Sequence, residues 1–461
     1  MSFYSNLKER FPGSLRLVIL LLQVVPISIC IGSAVALFLW LLDKATTTRQ
    51  QFPWLLFLLP LGGLLIHFLY KSIGKNAEKG NNLLIEEIHE PSAGIPKRMA
   101  PLVLFSTIVT HLFGGSAGRE GTAVQMGGSI SAAIAGWFRT TDKDSLQILL
   151  TAGIAAGFGA VFGTPVTGAI FAMEVLTIGR IRYNALLPCI FAAIIANYTC
   201  SVWGIHHTQY HILFKNTLQY FSADSFQLLW KIVVSAIAFG LAAFLFADLT
   251  SFLKKTFQRF IKIDWFIPVV GAIIIIVLTY ILGTDDYLGL GVTSPNPNGV
   301  SIVNAFNEGG ATYFSWFWKL LFTAITLSSG FKGGEVTPLF FIGAALGNTL
   351  AILFHAPVDL FAALGFIAVF AAATNTPIAC TIMGVELFGG EHILFFALAC
   401  FISYFFSGHS GIYSSQKIGV AKLGSPYAGE KNLSESFSRR RKVVAAILDK
   451  LRKQKQKNKP S

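Results

Sequence analysis

One short pattern occurs twice in this chain, about two hundred residues apart. The first copy carries Thr164, Pro165, Gly168, Ile170 and Glu174 within TPVTGAIFAME, and the second carries Thr376, Pro377, Cys380, Ile382 and Glu386 within TPIACTIMGVE. In each, the glutamate stands ten positions after the threonine. A glycine-rich break and an apolar segment precede both: GSAGREGTAVQMGG before the first, SSGFKGGEVTPLFFIGAALG before the second. A duplicated half whose hydrophobic segments are interrupted by glycine at matching places points to a transport site where the repeats meet.

The surroundings are apolar enough to make those repeats membrane-embedded. Of 461 residues, 53% are hydrophobic and only 13% charged, against about 25% charged in soluble proteins. The fold class is therefore an all-α polytopic membrane protein. A hydrocarbon core of about 30 Å needs about 20 helical residues, and Leu17 to Leu42 and Phe226 to Phe246 meet that length, with Phe266 to Leu282 somewhat shorter. Leu102 to Phe113 and Ala123 to Trp137 are too short to cross unaided and adjoin glycine clusters. They read as broken helices, tolerated in a bilayer only inside protein or around a wet cavity.

Charge gives the orientation. The net charge is +13, and from Glu430 onward eleven Lys or Arg face three Asp or Glu. Beside a membrane domain such a tail is an orientation signal near anionic lipid, not a nucleic-acid site. Lys8, Arg10 and Arg16 place the N-terminus on the same cytoplasmic side, and Lys71, Lys75, Lys79, Lys97 and Arg98 mark the next inside loop. The expected organisation is a cytoplasmic segment 1–16, repeats 17–210 and 211–416, and a basic cytoplasmic tail 417–461, all in the plasma (inner) membrane. Val443, Val444, Ile447 and Leu451 give that tail one apolar helical stripe. The five cysteines lie in apolar segments without paired spacing, as small core residues do.

Inside a membrane, a helix that starts halfway across exposes N–H groups at the positive end of its dipole, and anions bind there. Three breaks precede apolar helices: Ser92 to Pro96, Gly118 to Thr122 and Gly334 to Pro338. Glycine admits close approach of backbone amides, and proline or threonine suits a first turn. The expected site is built from backbone donors and selects an anion without a fixed cation. Glu120 sits among these donors. Ionised, it competes with a bound anion; protonated, it can leave. Occupancy then depends on the proton.

These residues resemble the CLC family of chloride channels and anion/proton antiporters, over about Pro91 to Tyr413. Gly118 to Thr122 resembles GREGP, with Arg119 and Glu120 at the arginine and the gating glutamate. Gly334 to Pro338 resembles GxFxP, Ser92 to Pro96 resembles GSGIP, and Tyr413 resembles the tyrosine whose hydroxyl coordinates the central anion. The resemblance implies a fold of two inverted-topology repeats, an anion path at helix N-termini, and a homodimer with a pathway in each subunit. It assigns anion binding to Ala93, Gly94, Ile95, Gly118, Arg119, Glu120, Gly334, Glu335, Val336 and Tyr413, and calls for no cofactor or metal.

The departures from the pattern carry information too. Ala93 replaces a serine donor, Thr122 replaces a proline, and Val336, preceded by Glu335, replaces an aromatic residue. This set is similar to the branch that exchanges fluoride for protons. Val175 stands where many chloride/proton exchangers carry an inner proton-relaying glutamate. An uncoupled chloride channel and an exchanger with another inner route both remain open, and Glu335 is either the substitute proton carrier or an acidic residue favouring a helix start. Glu174 and Glu386, matched in both repeats, read as structural binders of backbone donors.

Two other patterns are weaker. His206, His207 and His211 lack the acid of a zinc-protease motif and read as a loop between membrane helices. Gly114, Ser116 and Gly118 fit GxSxG, yet no strand precedes them, so an intramembrane serine hydrolase is disfavoured.

Overall fold

The structure, a computed structural model, describes residues 12–91, 94–215, 223–422 and 431–435. Ala93, most of the basic tail and its apolar stripe at Val443 to Leu451 lie outside the described residues.

The chain enters the fold through α1 (Pro12–Gln51), α2 (Leu59–Leu69) and the short α3 (Asn81–His89). Then come α4 (Met99–Leu112), α5 (Glu120–Trp137), α6 (Lys143–Phe162), α7 (Pro165–Glu174) and α8 (Leu186–Val202). The second half follows with α9 (Ala223–Phe260), α10 (Ile267–Leu282), α11 (Ser315–Ser328), α12 (Val336–Phe354), α13 (Val358–Thr374), α14 (Pro377–Phe388) and α15 (Ile393–Phe406). Among the described residues, seven helical stretches are long and apolar enough to cross a membrane, and α4, α13, α14 and α15 are shorter apolar helices. The first long run extends past Leu42 to Gln51, through polar residues that continue the helix.

The duplication is visible element by element. α4 to α8 and α11 to α15 each run helix, glycine break, helix, helix, threonine-proline helix, helix. α6 ends at Gly163 and α13 at Asn375, both left-handed, with φ of +76° and +61°. Asn tolerates that conformation better than most side chains, and its amide is held by Ser410 O at 3.1 Å and Gln416 Oε1 at 2.9 Å.

Small residues let the paired helices of each half touch backbone to backbone, as membrane packing favours. A Cβ on Gly127 of α5 would lie 2.2 Å from Gly153 O of α6. In the second half, a Cβ on either Gly343 or Gly365 would lie 2.0 Å from the other's carbonyl oxygen, closing α12 onto α13. A three-stranded sheet, β1 (Thr177–Ile178), β2 (Lys417–Ile418) and β3 (Lys431–Asn432), ties the segment after Tyr413 to the end of α7.

Candidate functional site

Two glycine breaks, one from each half, meet back to back. Gly118 N donates to Gly334 O at 2.6 Å and Gly334 N to Gly118 O at 2.7 Å, an antiparallel pair that brings the starts of α5 and α12 together. Side chains are excluded: a Cβ on Gly334 would lie 2.7 Å from Gly121 N, and one on Gly118 would lie 3.0 Å from Gly334 O.

Glu120 fills the space so created. Its carboxylate accepts hydrogen bonds from Arg119 N at 3.1 Å, from Thr337 N at 3.0 Å and from the Thr337 hydroxyl at 2.6 and 2.7 Å. It is fully buried, with Arg119 Nε 3.5 Å away. A carboxylate therefore occupies the anion position that the first turn of α12 provides. Thr337, which supplies two of these three donors, was missed by the sequence reading because its partner is 217 positions distant.

The third helix start is not where the motif resemblance put it. Gly94 is exposed, Ile95 is buried outside any helix, and the helix that follows begins only at Met99. The carbonyls of Pro96 and Lys97 accept from Ser129 Oγ at 2.9 and 3.3 Å. Ser129 is nine residues beyond Glu120 in α5, or about 13 Å along the axis at 1.5 Å per residue. The start that reaches the site belongs to α3. Asn81 Nδ2 would lie 3.1 Å from a Cβ on Gly121, and Glu335 Oε2 3.7 Å from the same point. Asn81 and half-buried Glu335 thus converge on the first turn of α5. Asn81 Oδ1 is buried without a hydrogen-bond partner.

The loop of Tyr413 joins the same assembly. Asn82 Oδ1 accepts Ser415 N at 3.0 Å, and Glu86 Oε1 accepts Ser415 Oγ at 2.8 Å, so α3 holds this loop directly. Gln416 Nε2 fastens it from the other side to Val175 O at 2.9 Å and Thr374 O at 3.0 Å. Tyr413 is 4% exposed. Val336 is buried at the first position of α12.

The remaining candidates fall elsewhere. Ser116 Oγ pairs with Thr323 Oγ1 at 2.9 Å and its N–H donates to Thr326 Oγ1, so both of these partners are hydroxyls. His207 lines a cavity with Arg119 and Glu120, on an irregular loop between α8 and α9. Among the described residues, no group of three His, Cys, Asp or Glu is placed to hold a metal.

Broken helices from two membrane halves, meeting start to start around a buried carboxylate, define an integral multi-pass membrane protein of the anion-transport type. The model of the voltage gated chloride channel family matches residues 62–408, and the chain belongs to that family. It is 45% identical over 415 residues to the chloride/fluoride channel protein of Pseudomonas syringae pv. tomato, covering 89% of this chain and 88% of that one. It is 25% identical over 319 residues to the H(+)/Cl(-) exchange transporter ClcA of Vibrio cholerae, covering 64% of this chain and 65% of that one.

Its fold is similar to the crystal structure of a CLC-type fluoride/proton antiporter, with a TM-score of 0.81 and 34% identity over 87% of this chain and 98% of the other. A slow cyanobacterial Cl-/H+ antiporter shares the fold alone, with a TM-score of 0.69 at 19% identity.

Proposed function

We propose that this protein exchanges fluoride for protons and serves to export fluoride. The observation that carries the reading is the Glu120 carboxylate held by the main chain and hydroxyl of Thr337. An anion takes that place only when Glu120 leaves, and a carboxylate leaves its donors readily once protonated, because the protonated form no longer needs them. Each exchange of anion for carboxylate then carries a proton.

The inner half of the proton route falls to Glu335. Val175 cannot relay a proton, whereas Glu335 lies with Asn81 against Gly121 in the first turn of α5, one residue from Glu120. Asn81 supplies an amide where α3 begins, and Tyr413 adds a hydroxyl. The first turn of α12, beginning at Val336, completes a compact polar site with its backbone donors, while the Gly118 and Gly334 N–H groups are paired with each other's carbonyls and fix its backbone. Small donors at close range suit an ion as small and strongly hydrated as fluoride, and the relatives named for fluoride point the same way.

In this reading the repeats span 17–210 and 211–416, both termini are cytoplasmic, and two copies assemble as a homodimer in the lipid bilayer. Inward proton flow drives fluoride out, without a bond-making chemical step. The test is anion efflux from liposomes holding the purified protein, fluoride against chloride, with a pH electrode recording protons. Fluoride efflux with opposing proton flux supports the reading. Chloride efflux without proton movement means a passive chloride channel on the same fold.

A further inference from the structure

A small chamber lies beside Glu120, lined in part by Arg119, Glu120, His207, Thr337, Phe340 and Phe366. Its volume of about 20 Å³ holds about one water or one small bare ion. The two phenyl rings stack with centroids 3.9 Å apart and form a dry wall. Arg119 and His207 also line a far larger vestibule of about 480 Å³ that contains Arg49, His206, Asp285 and Asp286. The chamber therefore stands between that vestibule and the Glu120 carboxylate.

Two nitrogens of the chamber residues are shielded from solvent and have no hydrogen-bond partner: His207 Nε2 and Arg119 Nε. The nearest charge to Arg119 Nε is the Glu120 carboxylate, at 3.5 Å and outside hydrogen-bonding geometry. Buried donors without partners are rare and costly. The His207 ring is held in place by Gly163, on which it packs so closely that a Cβ there would lie 2.5 Å from Cδ2 and 3.3 Å from Nε2. Guanidinium Nε always bears a proton, and imidazole Nε2 bears one in one neutral tautomer and in the cation.

We infer that Arg119 and His207 form an outer anion station, a side-chain site for one small anion that is separate from the backbone donors at the helix starts. This rests on the reading that an anion passes Glu120. An anion arriving from the vestibule loses its water against these two N–H groups, and waits there while the neighbouring Glu120 carboxylate, which repels it, takes up a proton. The size of the chamber favours fluoride over chloride at this step.

The test is calorimetric titration of the full-length protein with sodium fluoride, in the wild type, His207→Phe and His207→Gln. Loss of one donor to a charged ligand weakens binding by about 10-fold or more. The expected result is that His207→Phe shows this loss, His207→Gln stays within about 3-fold because its amide keeps a donor, and chloride binding is the same in all three. An unchanged fluoride isotherm in His207→Phe overturns the station. Should that variant fail to fold, histidine ¹⁵N spectra of the wild type decide: a saturable shift of the His207 Nε2 resonance with sodium fluoride supports the station, and a static resonance overturns it. A wild type that shows this shift yet moves no protons in liposomes overturns the exchange reading and leaves the station standing.

Discussion

Glu174 and Glu386 cap each other's repeat. Glu174 accepts the N–H groups of Ile378 at 3.1 Å and Ala379 at 2.8 Å, in the first turn of α14. Glu386 accepts Val166 N at 3.0 Å, Thr167 N at 2.7 Å and the Thr167 hydroxyl at 2.6 Å, in the first turn of α7. Each carboxylate lies in the last turn of the helix that the other one caps, so two reciprocal contacts stitch the repeats together. Two N–H groups that would be orphaned at each helix start are thereby satisfied.

The two contacts differ in their access to water, and the cost of losing them should differ in the same sense. Glu174 is 6% exposed, while the Glu386 contact with Val166 is open to solvent. Glu174→Ala strands the buried Ala379 N–H, at about 1–3 kcal/mol, and the partly buried Ile378 N–H beside it. Glu386→Ala lets water replace part of what is lost. Thermal unfolding of the purified variants should show a clearly larger fall in Tm for Glu174→Ala; equal falls would contradict this.

Glycine at the α12 and α13 contact is a matter of space. Gly365→Ala puts a methyl 2.0 Å from Gly343 O, so the helices must separate. Overpacking of this kind costs about 1–3 kcal/mol or more. Gly136→Ala in α5 is the control, since nothing lies within 4 Å of a Cβ there. It should be neutral or gain up to about 1 kcal/mol from helix propensity. Size-exclusion profiles and melting curves of the two variants measure the contrast.

Moving the third helix start from the Ser92 to Pro96 segment to α3 has a direct consequence for transport. Asn81→Leu removes an amide beside Glu335 and should cut fluoride flux by about 10-fold or more, the worth of one hydrogen bond to a charged partner. Ile95→Val, in the segment that the motif resemblance favoured, should stay within about 2-fold. The reverse ranking in a liposome flux assay would restore the original assignment.

Acid sensitivity should include a contribution from Asp142, the N-cap of α6. The Ser145 hydroxyl at 2.6 Å and N–H at 3.0 Å, with Arg16 beside it, hold this carboxyl below its ordinary range. A depressed carboxylate contributes stability above its unfolded pKa of about 4 and loses it as pH falls through the folded value. The Asp142→Asn variant should therefore lose stability at neutral pH and converge with the wild type in acid. Melting curves across that pH range check the sign.

Much of this was legible because it is written locally. The repeated threonine, proline and glutamate, and the glycine breaks at Gly118 and Gly334, are short patterns whose backbone consequences follow from residue type alone. The capping role of Glu174 and Glu386 came from their symmetry. Contacts between breaks were not legible: no local signal ties Glu120 to Thr337. The start of α3 was misplaced for a different reason. SAGIP carries the glycine and proline of a helix start, whereas Asn81 opens a nine-residue helix out of the charged stretch KNAEKGNN, which reads as an inside loop. The loop reading of GIHHTQYH was right as to conformation. Its folding back to place His207 beside Glu120 depends on tertiary packing against Gly163.

The central claim is that Glu120 carries the proton as it exchanges places with the anion. Its most direct test is simultaneous recording of fluoride and proton flux through Glu120→Gln in liposomes. Glutamine keeps the size and can still face Thr337, but it takes up no proton. The account predicts that proton movement driven by a fluoride gradient disappears in this variant. Proton flux that stays coupled to fluoride in Glu120→Gln would contradict it.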